Sequence, residues 1–369
     1  MSVAPFLSLD YQHRSIEREL KQAFYRTLER GKFILGKEVD HFEKEFAAYH
    51  KSKYCISVAN GHDALLISLK ALGIDKGDEV IVPSHTCQAT WLAVMNAGAK
   101  PVPVEVDPST YTIDSLLIEN SLTRKTKAII PVHLYGHPCE MDKIMAIAKK
   151  NNLFVIEDNA QAHGATFKNK MTGSWGHCNA TSFYPTKNLG ALGDGGAIIT
   201  SNKKLCDFAR AFRNYGSEKK DVHSIPGVNS RLDELQAAIL QIKLRMLDEW
   251  NETRRRTSNL YFGLLQNIGD IQLPPRENRE TKPVYHQFVI QTSLREKLQA
   301  FLSKKGIETA VHYPIPIHLQ KTYSYLRYKK GNLPVAERLA GKVLSLPVWP
   351  GLKKDQVEIV CSAVRKFFA

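Results

Sequence analysis

The most constraining feature of this chain is an alternation that runs through its first 200 residues. Short apolar runs at 79–83, 101–106, 127–134, 153–157, 179–184 and 196–200 alternate with helical patterns at 88–98 and 141–151. An apolar helix over 64–72, ended by Gly73, precedes them. Runs this short and this apolar, bounded by turn residues, read as strands buried on both faces. Strands alternating with helices leave few architectures open, and the expected one is α/β, a mostly parallel sheet covered by helices. Amphipathic helices over 13–30 and 40–50 lie ahead of it. A long amphipathic stretch, 230–264, follows. The tail carries a strand-like 285–291, a helix over 293–305, a Pro-rich loop around 313–316 and closing helices. The expected division is a large α/β domain, 1–249, and a small α+β domain, 250–369.

With 369 residues, both units can bury a core without a disulfide or metal staple. No run approaches the ~18 apolar residues of a membrane span. The N-terminus shows no secretory pattern, and the six cysteines form no CxxC pair. Reduced thiols in the cytoplasm are therefore expected. Lys plus Arg exceed Asp plus Glu by 51 to 37, a net charge of +14. Such an excess suits a polyanionic partner, either nucleic acid or a phosphorylated small molecule. The basic residues are dispersed, and the densest knot, Arg254-Arg255-Arg256, reads as a solvated helix face. Without RNP-like aromatics or zinc-finger spacing, nucleic acid is not the expected partner.

Four segments carry chemistry. Phe154–Asp158, with Gln161 just beyond, is an apolar strand ending in a carboxylate, and ligands of parallel sheets sit beyond such ends. An aspartate there can equally cap a helix. In Ser182-Phe183-Tyr184-Pro185-Thr186-Lys187, a single lysine follows a strand and leads into a glycine-rich turn, Gly193-Asp194-Gly195-Gly196. Enclosure would lower its pKa and make it an amine nucleophile; left exposed, it is a surface charge. Asn60-Gly61-His62-Asp63 opens a helix whose first N–H groups suit a phosphate. The segment 227–238 is another polar cap leading into a helix. A lysine for a Schiff base, a carboxylate for a pyridinium nitrogen and phosphate donors are the protein's share of pyridoxal phosphate (PLP) chemistry.

From Gly36-Lys37-Glu38-Val39 through Glu157-Asp158-Asn159-Ala160-Gln161 and 182–196 to His312-Tyr313-Pro314, the chain resembles the DegT/DnrJ/EryC1/StrS sugar aminotransferases. The resemblance implies the type I, aspartate-aminotransferase-like fold and pyridoxal 5'-phosphate as cofactor. It makes Lys187 the lysine that holds the cofactor's aldehyde, Asp158 the partner of the pyridine nitrogen, and Gln161 a donor to the ring hydroxyl. Ser182 and the backbone at Gly61 and His62 would hold the phosphate. Asn229 would reach the neighbouring subunit's phosphate, which implies a homodimer with shared active sites.

The chain departs from the family twice: His62 stands where threonine is frequent, and Cys87 where an aromatic residue stacks on the cofactor. His85 or Trp91 could cover the ring instead, with Trp91 expected in the core. Related dehydratases carry histidine at the lysine position, so Lys187 favours transamination.

The segments 213–217, 229–231 and 312–320 are similar to the branch that aminates C3 of nucleotide-linked 3-keto-6-deoxyhexoses, usually dTDP sugars, with L-glutamate as donor. Tyr184, Arg231, His312, Tyr313 and His318 are the substrate residues this implies. Alternatives are a 4-keto or UDP- or GDP-linked substrate, or a non-catalytic PLP-binding regulator. His133, His137 and Cys139 resemble a ligand set, but they span a strand end and a loop, so no metal is expected.

Overall fold

The structure, a computed structural model, describes residues 3–219 and 221–369. Its strands, in chain order, begin with β1 (Tyr54–Val58), β2 (Glu79–Pro83), β3 (Lys100–Val104), β4 (Thr126–Ile129) and β5 (Phe154–Asp158). A small hairpin, β6 (Thr166–Phe167) and β7 (Lys170–Met171), comes before β8 (Cys178–Ser182) and β9 (Gly196–Thr200). Seven of these form the central sheet in the order β1-β9-β8-β5-β4-β2-β3. β9 is antiparallel to both its neighbours, and the other pairings are parallel. The expected mostly parallel α/β sheet is borne out.

The helices are α1 (Asp10–Ser15), α2 (Glu17–Arg30), α3 (Lys37–Tyr49), α4 (Gly61–Ala71), α5 (Gln88–Asn96), α6 (Ser115–Ile118), α7 (Met141–Lys150), α8 (Lys203–Phe212) and α9 (Glu234–Leu265). In β2, Val80 and Val82 join the core packed under α4 and α5, while Ile81 joins the opposite core with Ile144 of α7. Side chains alternate between faces along a strand, and both faces are covered, so the run reads as continuously apolar. On the α7 side of the sheet, Phe42 and Phe46 of α3 pack around Phe183.

The expected helix over 13–30 is two helices. Ile16 leaves the helical region (φ −131°, ψ 22°), and the Ser15 hydroxyl donates to the Gln12 carbonyl at 2.9 Å, a local bond that competes with the helical ladder. The strand expected over 127–134 stops at Ile129. Pro131 can donate nothing to a ladder; beyond it only an isolated parallel bridge, Val132 to Asp158, continues the pairing, and Val132 walls the site.

After the hairpin β10 (Ser217–Lys219) and β11 (Val222–His223), the 32-residue α9 spans about 48 Å at 1.5 Å per residue. Its C-terminal half packs on α12 (Lys354–Phe368). Around it lie β12 (Thr281–Lys282), β13 (Phe288–Gln291), α10 (Arg295–Lys304), α11 (Pro334–Lys342) and β14 (Val343–Leu346). β13 pairs antiparallel with β14. The division drawn at 249/250 thus falls inside an unbroken helix. The N-terminus packs with the second unit as well: Ala4 bridges Ile307, and Trp349 Nε1 donates to the Pro5 carbonyl at 3.1 Å.

Arg254 and Arg255 are not a solvated face. Both are buried, and only Arg256 of the three is exposed. Arg254 donates to the carbonyls of Val348 (2.8 Å), His286 (3.3 Å) and Tyr285 (3.4 Å), which replace its water. Burial brings its pKa down to about 9. Among the described residues no helix is long and apolar enough to cross a membrane.

Candidate active site

The parallel strands end along one edge of the sheet, and four of their exits meet there. β1 leads into the start of α4, β2 into Cys87 at the start of α5, β5 ends on Asp158, and β8 ends on Ser182. A cavity of about 400 Å³ opens between them, lined by Gly61, His62, Cys87, Asp158, Gln161, Ser182, Tyr184 and Lys187. These eight expected residues, separated by more than a hundred positions in the chain, share one chamber.

Lys187 sits in a turn closed by its own amide, which donates to the Tyr184 carbonyl at 2.8 Å. The next residue, Asn188, is buried and donates to Asn251 Oδ1 of α9 at 2.8 Å, anchoring the lysine's backbone. Its amine reaches the cavity and has no hydrogen-bond partner among the described residues. Burial lowers its pKa, opposed by the charges of Cys87 and Asp158. A larger neutral fraction makes it a better nucleophile.

Asp158 is buried; its Oδ1 accepts from Ala160 N (3.1 Å) and its Oδ2 from Thr90 Oγ1 (2.9 Å). Burial raises its pKa against these donors and the Lys187 charge. A buried carboxylate in that state is suited to a cationic partner, which a protonated ring nitrogen would supply.

Gln161 Oε1 accepts from Tyr135 N at 2.7 Å, and Nε2 donates to Tyr313 Oη at 3.3 Å. A backbone N–H against Oε1 fixes which way the amide points. The second Nε2 proton is left for the cavity.

At the start of α4, Asn60 Oδ1 accepts from Asp63 N (2.8 Å) and the Asn60 carbonyl from Ala64 N (3.1 Å). The amides of Gly61 and His62 are the remaining donors of the first turn. A Cβ on Gly61 would come within 2.6 Å of Ser182 Cβ, so glycine brings the helix start against the serine hydroxyl. Two backbone donors, a hydroxyl and the positive end of a helix fit a phosphate. The His62 ring is turned sideways, with Nδ1 3.2 Å from Asp63 Oδ1 and Nε2 accepting from Asn96 Nδ2 at 3.1 Å.

Neither ring suggested as a cover beside Cys87 lines the cavity. Trp91 is wholly buried and donates Nε1 to the Pro83 carbonyl at 2.9 Å. His85 is buried 2.9 Å from the Tyr135 hydroxyl, which in turn donates to the His312 carbonyl.

The remaining expected residues lie outside the chamber. Tyr313 is not itself a wall residue, but its hydroxyl bonds two that are, accepting from Gln161 Nε2 at 3.3 Å and meeting Cys87. His312 stacks on Phe6 and shares a 2.8 Å bond with Ser345. His318 departs furthest from expectation: it is buried with Nε2 against Glu337 at 3.0 Å, committed to the packing of α11. Asn229 is exposed and bridges Asn214. Arg231 donates to Asn214 Oδ1 at 3.0 Å and lies over the Tyr215 ring. Both ring nitrogens of His133 are occupied, by Cys139 N (3.0 Å) and Glu157 (2.9 Å). Among the described residues no three or more His, Cys, Asp or Glu are grouped to hold a metal.

Sequence reasoning missed Thr90, Tyr135 and Asn188. The signal for Thr90 was its place three residues after Cys87, hence on the same helix face. Tyr135 gave none, because its role depends on a left-handed backbone (φ 59°).

The DegT/DnrJ/EryC1/StrS aminotransferase family model matches residues 14–365. The chain is 49% identical over 363 residues to the dTDP-3-amino-3,6-dideoxy-alpha-D-galactopyranose transaminase of Aneurinibacillus thermoaerophilus, covering 98% of this chain and 99% of that one. It is 46% identical over 365 residues to the erythromycin biosynthesis sensory transduction protein EryC1 of Saccharopolyspora erythraea, covering 98% of each. The X-ray structure of S. venezuelae DesV in complex with a ketimine intermediate superposes with a TM-score of 0.97 at 44% identity, covering 100% of this chain and 99% of that one. Family, fold and the lysine-centred chamber agree: this chain belongs to the DegT/DnrJ/EryC1/StrS aminotransferases, which are pyridoxal-phosphate enzymes.

Proposed function

We propose that the protein aminates C3 of a nucleotide-linked 3-keto-6-deoxyhexose, a dTDP sugar, with L-glutamate as amino donor. The observation that carries this reading is the enclosed Lys187 amine, without a hydrogen-bond partner among the described residues, sharing one cavity with Asp158, Gln161 and Ser182. The substrate class draws support from the 49% identity to a dTDP-amino-sugar transaminase.

The side-chain roles follow from the geometry. When bound, pyridoxal phosphate supplies an electron sink conjugated to the reacting carbon. The Gly61 and His62 amides with Ser182 Oγ would hold its phosphate, and Gln161 Nε2 would donate to its ring oxygen. Asp158 stays ionised against the ring nitrogen. Lys187 Nζ would hold the cofactor through its aldehyde, and its amine, when free, would take a proton from or return one to the reacting carbon. Tyr184, which is half-exposed at the rim, Arg231 and Tyr313 are the side chains proposed toward substrate. His312 and His318 are placed to shape the loop that carries Tyr313.

We further propose a homodimer, because the exposed Asn229 and the exposed apolar side chains Phe24, Tyr25, Leu28 and Phe33 await a second surface. The six unpaired cysteines fit a reducing compartment, proposed as the cytoplasm.

The test is a panel of dTDP-, UDP- and GDP-linked 3-keto and 4-keto sugars with glutamate, with products read by mass and NMR. Amination of the dTDP 3-keto sugar is expected. A preference for a 4-keto or another nucleotide sugar would overturn the substrate, and cofactor binding without any turnover would point to the regulatory alternative.

A further inference from the structure

The carboxylate of Asp158 is held from two sides. Ala160 N donates to Oδ1, and the hydroxyl of Thr90 donates to Oδ2 at 2.9 Å. Thr90 belongs to α5, is wholly buried, and its Oγ1 lies 3.4 Å from that of Thr86, a residue of the cavity wall. A hydroxyl carries one proton and two lone pairs. With the Thr90 proton committed to Asp158, its lone pairs face Thr86, so a chain of hydroxyls runs from the cavity wall to the buried carboxylate. A threonine inside a helix commonly turns its hydroxyl back to its own helix; this one crosses from α5 to the end of β5.

We propose that Thr90 is a positioning residue for the transamination chemistry, its hydroxyl keeping Asp158 ionised and turned so that its remaining lone pairs meet the cofactor's ring nitrogen. This rests on the reading of Asp158 given above. The charged and titratable groups that act with Asp158 come from three parts of the fold: Lys187 after β8, His133 and Cys139 after β4, and Tyr313 of the second unit. Lys187 and His133 favour the ionised carboxylate, and burial disfavours it. The Thr90 hydrogen bond falls on the favourable side of that balance. Removing it leaves burial less opposed, so the carboxylate takes up a proton at higher pH.

The experiment compares Thr90→Val, Thr90→Ser and Asp158→Asn in the full chain. Pyridoxal phosphate is titrated into the cofactor-free protein across a pH series, and thermal melting of each variant is followed in parallel. Thr90→Val should weaken cofactor binding about tenfold, the weight of a hydrogen bond to a charged group. The pH below which affinity falls should rise by about one unit. Thr90→Ser, which keeps the hydroxyl, should restore both to within about twofold. Wild-type affinity and an unmoved pH profile in Thr90→Val would overturn the proposal, as would a serine variant as impaired as the valine one. Should valine prevent folding, Thr90→Ala carries the same expectations. Asp158→Asn separates the two claims. If it binds the cofactor as wild type does, the reading of Asp158 itself fails; if it fails to bind while Thr90→Val behaves as wild type, only the role of Thr90 falls.

Discussion

At the scale of single residues, the site works by placing charges where water cannot relieve them. Asp158 and Lys187 are both enclosed, and burial pushes the acid's pKa up and the amine's down. For Asp158 the sign has a consequence for stability. A carboxylate whose folded pKa is raised binds protons more readily in the folded state, so it disfavours folding once pH exceeds its unfolded value near 4. That penalty is complete above the folded pKa. Asp158→Asn should therefore raise the melting temperature of the cofactor-free protein at neutral pH while weakening cofactor binding. A lower melting temperature would contradict the account. Function here is held at a local cost in stability, as is common where an active site needs a buried charge.

At the scale of elements, the starts of α4 and α5 and the ends of β5 and β8 set the geometry. Gly61→Ala places a Cβ against Ser182, and overpacking of this kind costs about 1–3 kcal/mol. Cofactor titration should show affinity weakened at least about tenfold; unchanged affinity would mean that the helix start does not form the phosphate cup. In α9, Arg254→Ala leaves three carbonyls without their donor and should lower stability by about 3 kcal/mol in urea unfolding. A change below about 0.5 kcal/mol would return Arg254 to the surface role its sequence suggests.

These elements also show what the sequence made legible. β2 and β9 stand at the expected limits, because a strand buried on both faces announces itself as an unbroken apolar run. Asp158, Gln161, Ser182 and Lys187 were legible because each closes or follows such a run. Arg254 was misread because sequence displays a charge without the distant carbonyls that hold it, and the Glu337 partner of His318 was equally invisible there. The kink at Ile16 and the early end of β4 turn on single local choices, a serine back-bond and a proline, that periodicity averages away.

At the scale of the whole molecule, α9 ties the sheet to the second unit, and Asn188, bonded to α9 beside Lys187, sits at that junction. The proposed dimer predicts a sedimentation mass twice the 41.6 kDa of one chain; a monomer that turns over substrate would exclude a shared site. The central claim, that residue 187 is the cofactor's point of attachment, is most directly tested by chemical trapping. Holoenzyme is reduced with borohydride and digested, and its peptides are read by mass spectrometry. The account predicts the reduced pyridoxyl-phosphate mass on Lys187, absent when glutamate is added before reduction. Attachment at another lysine, or at none, would contradict it.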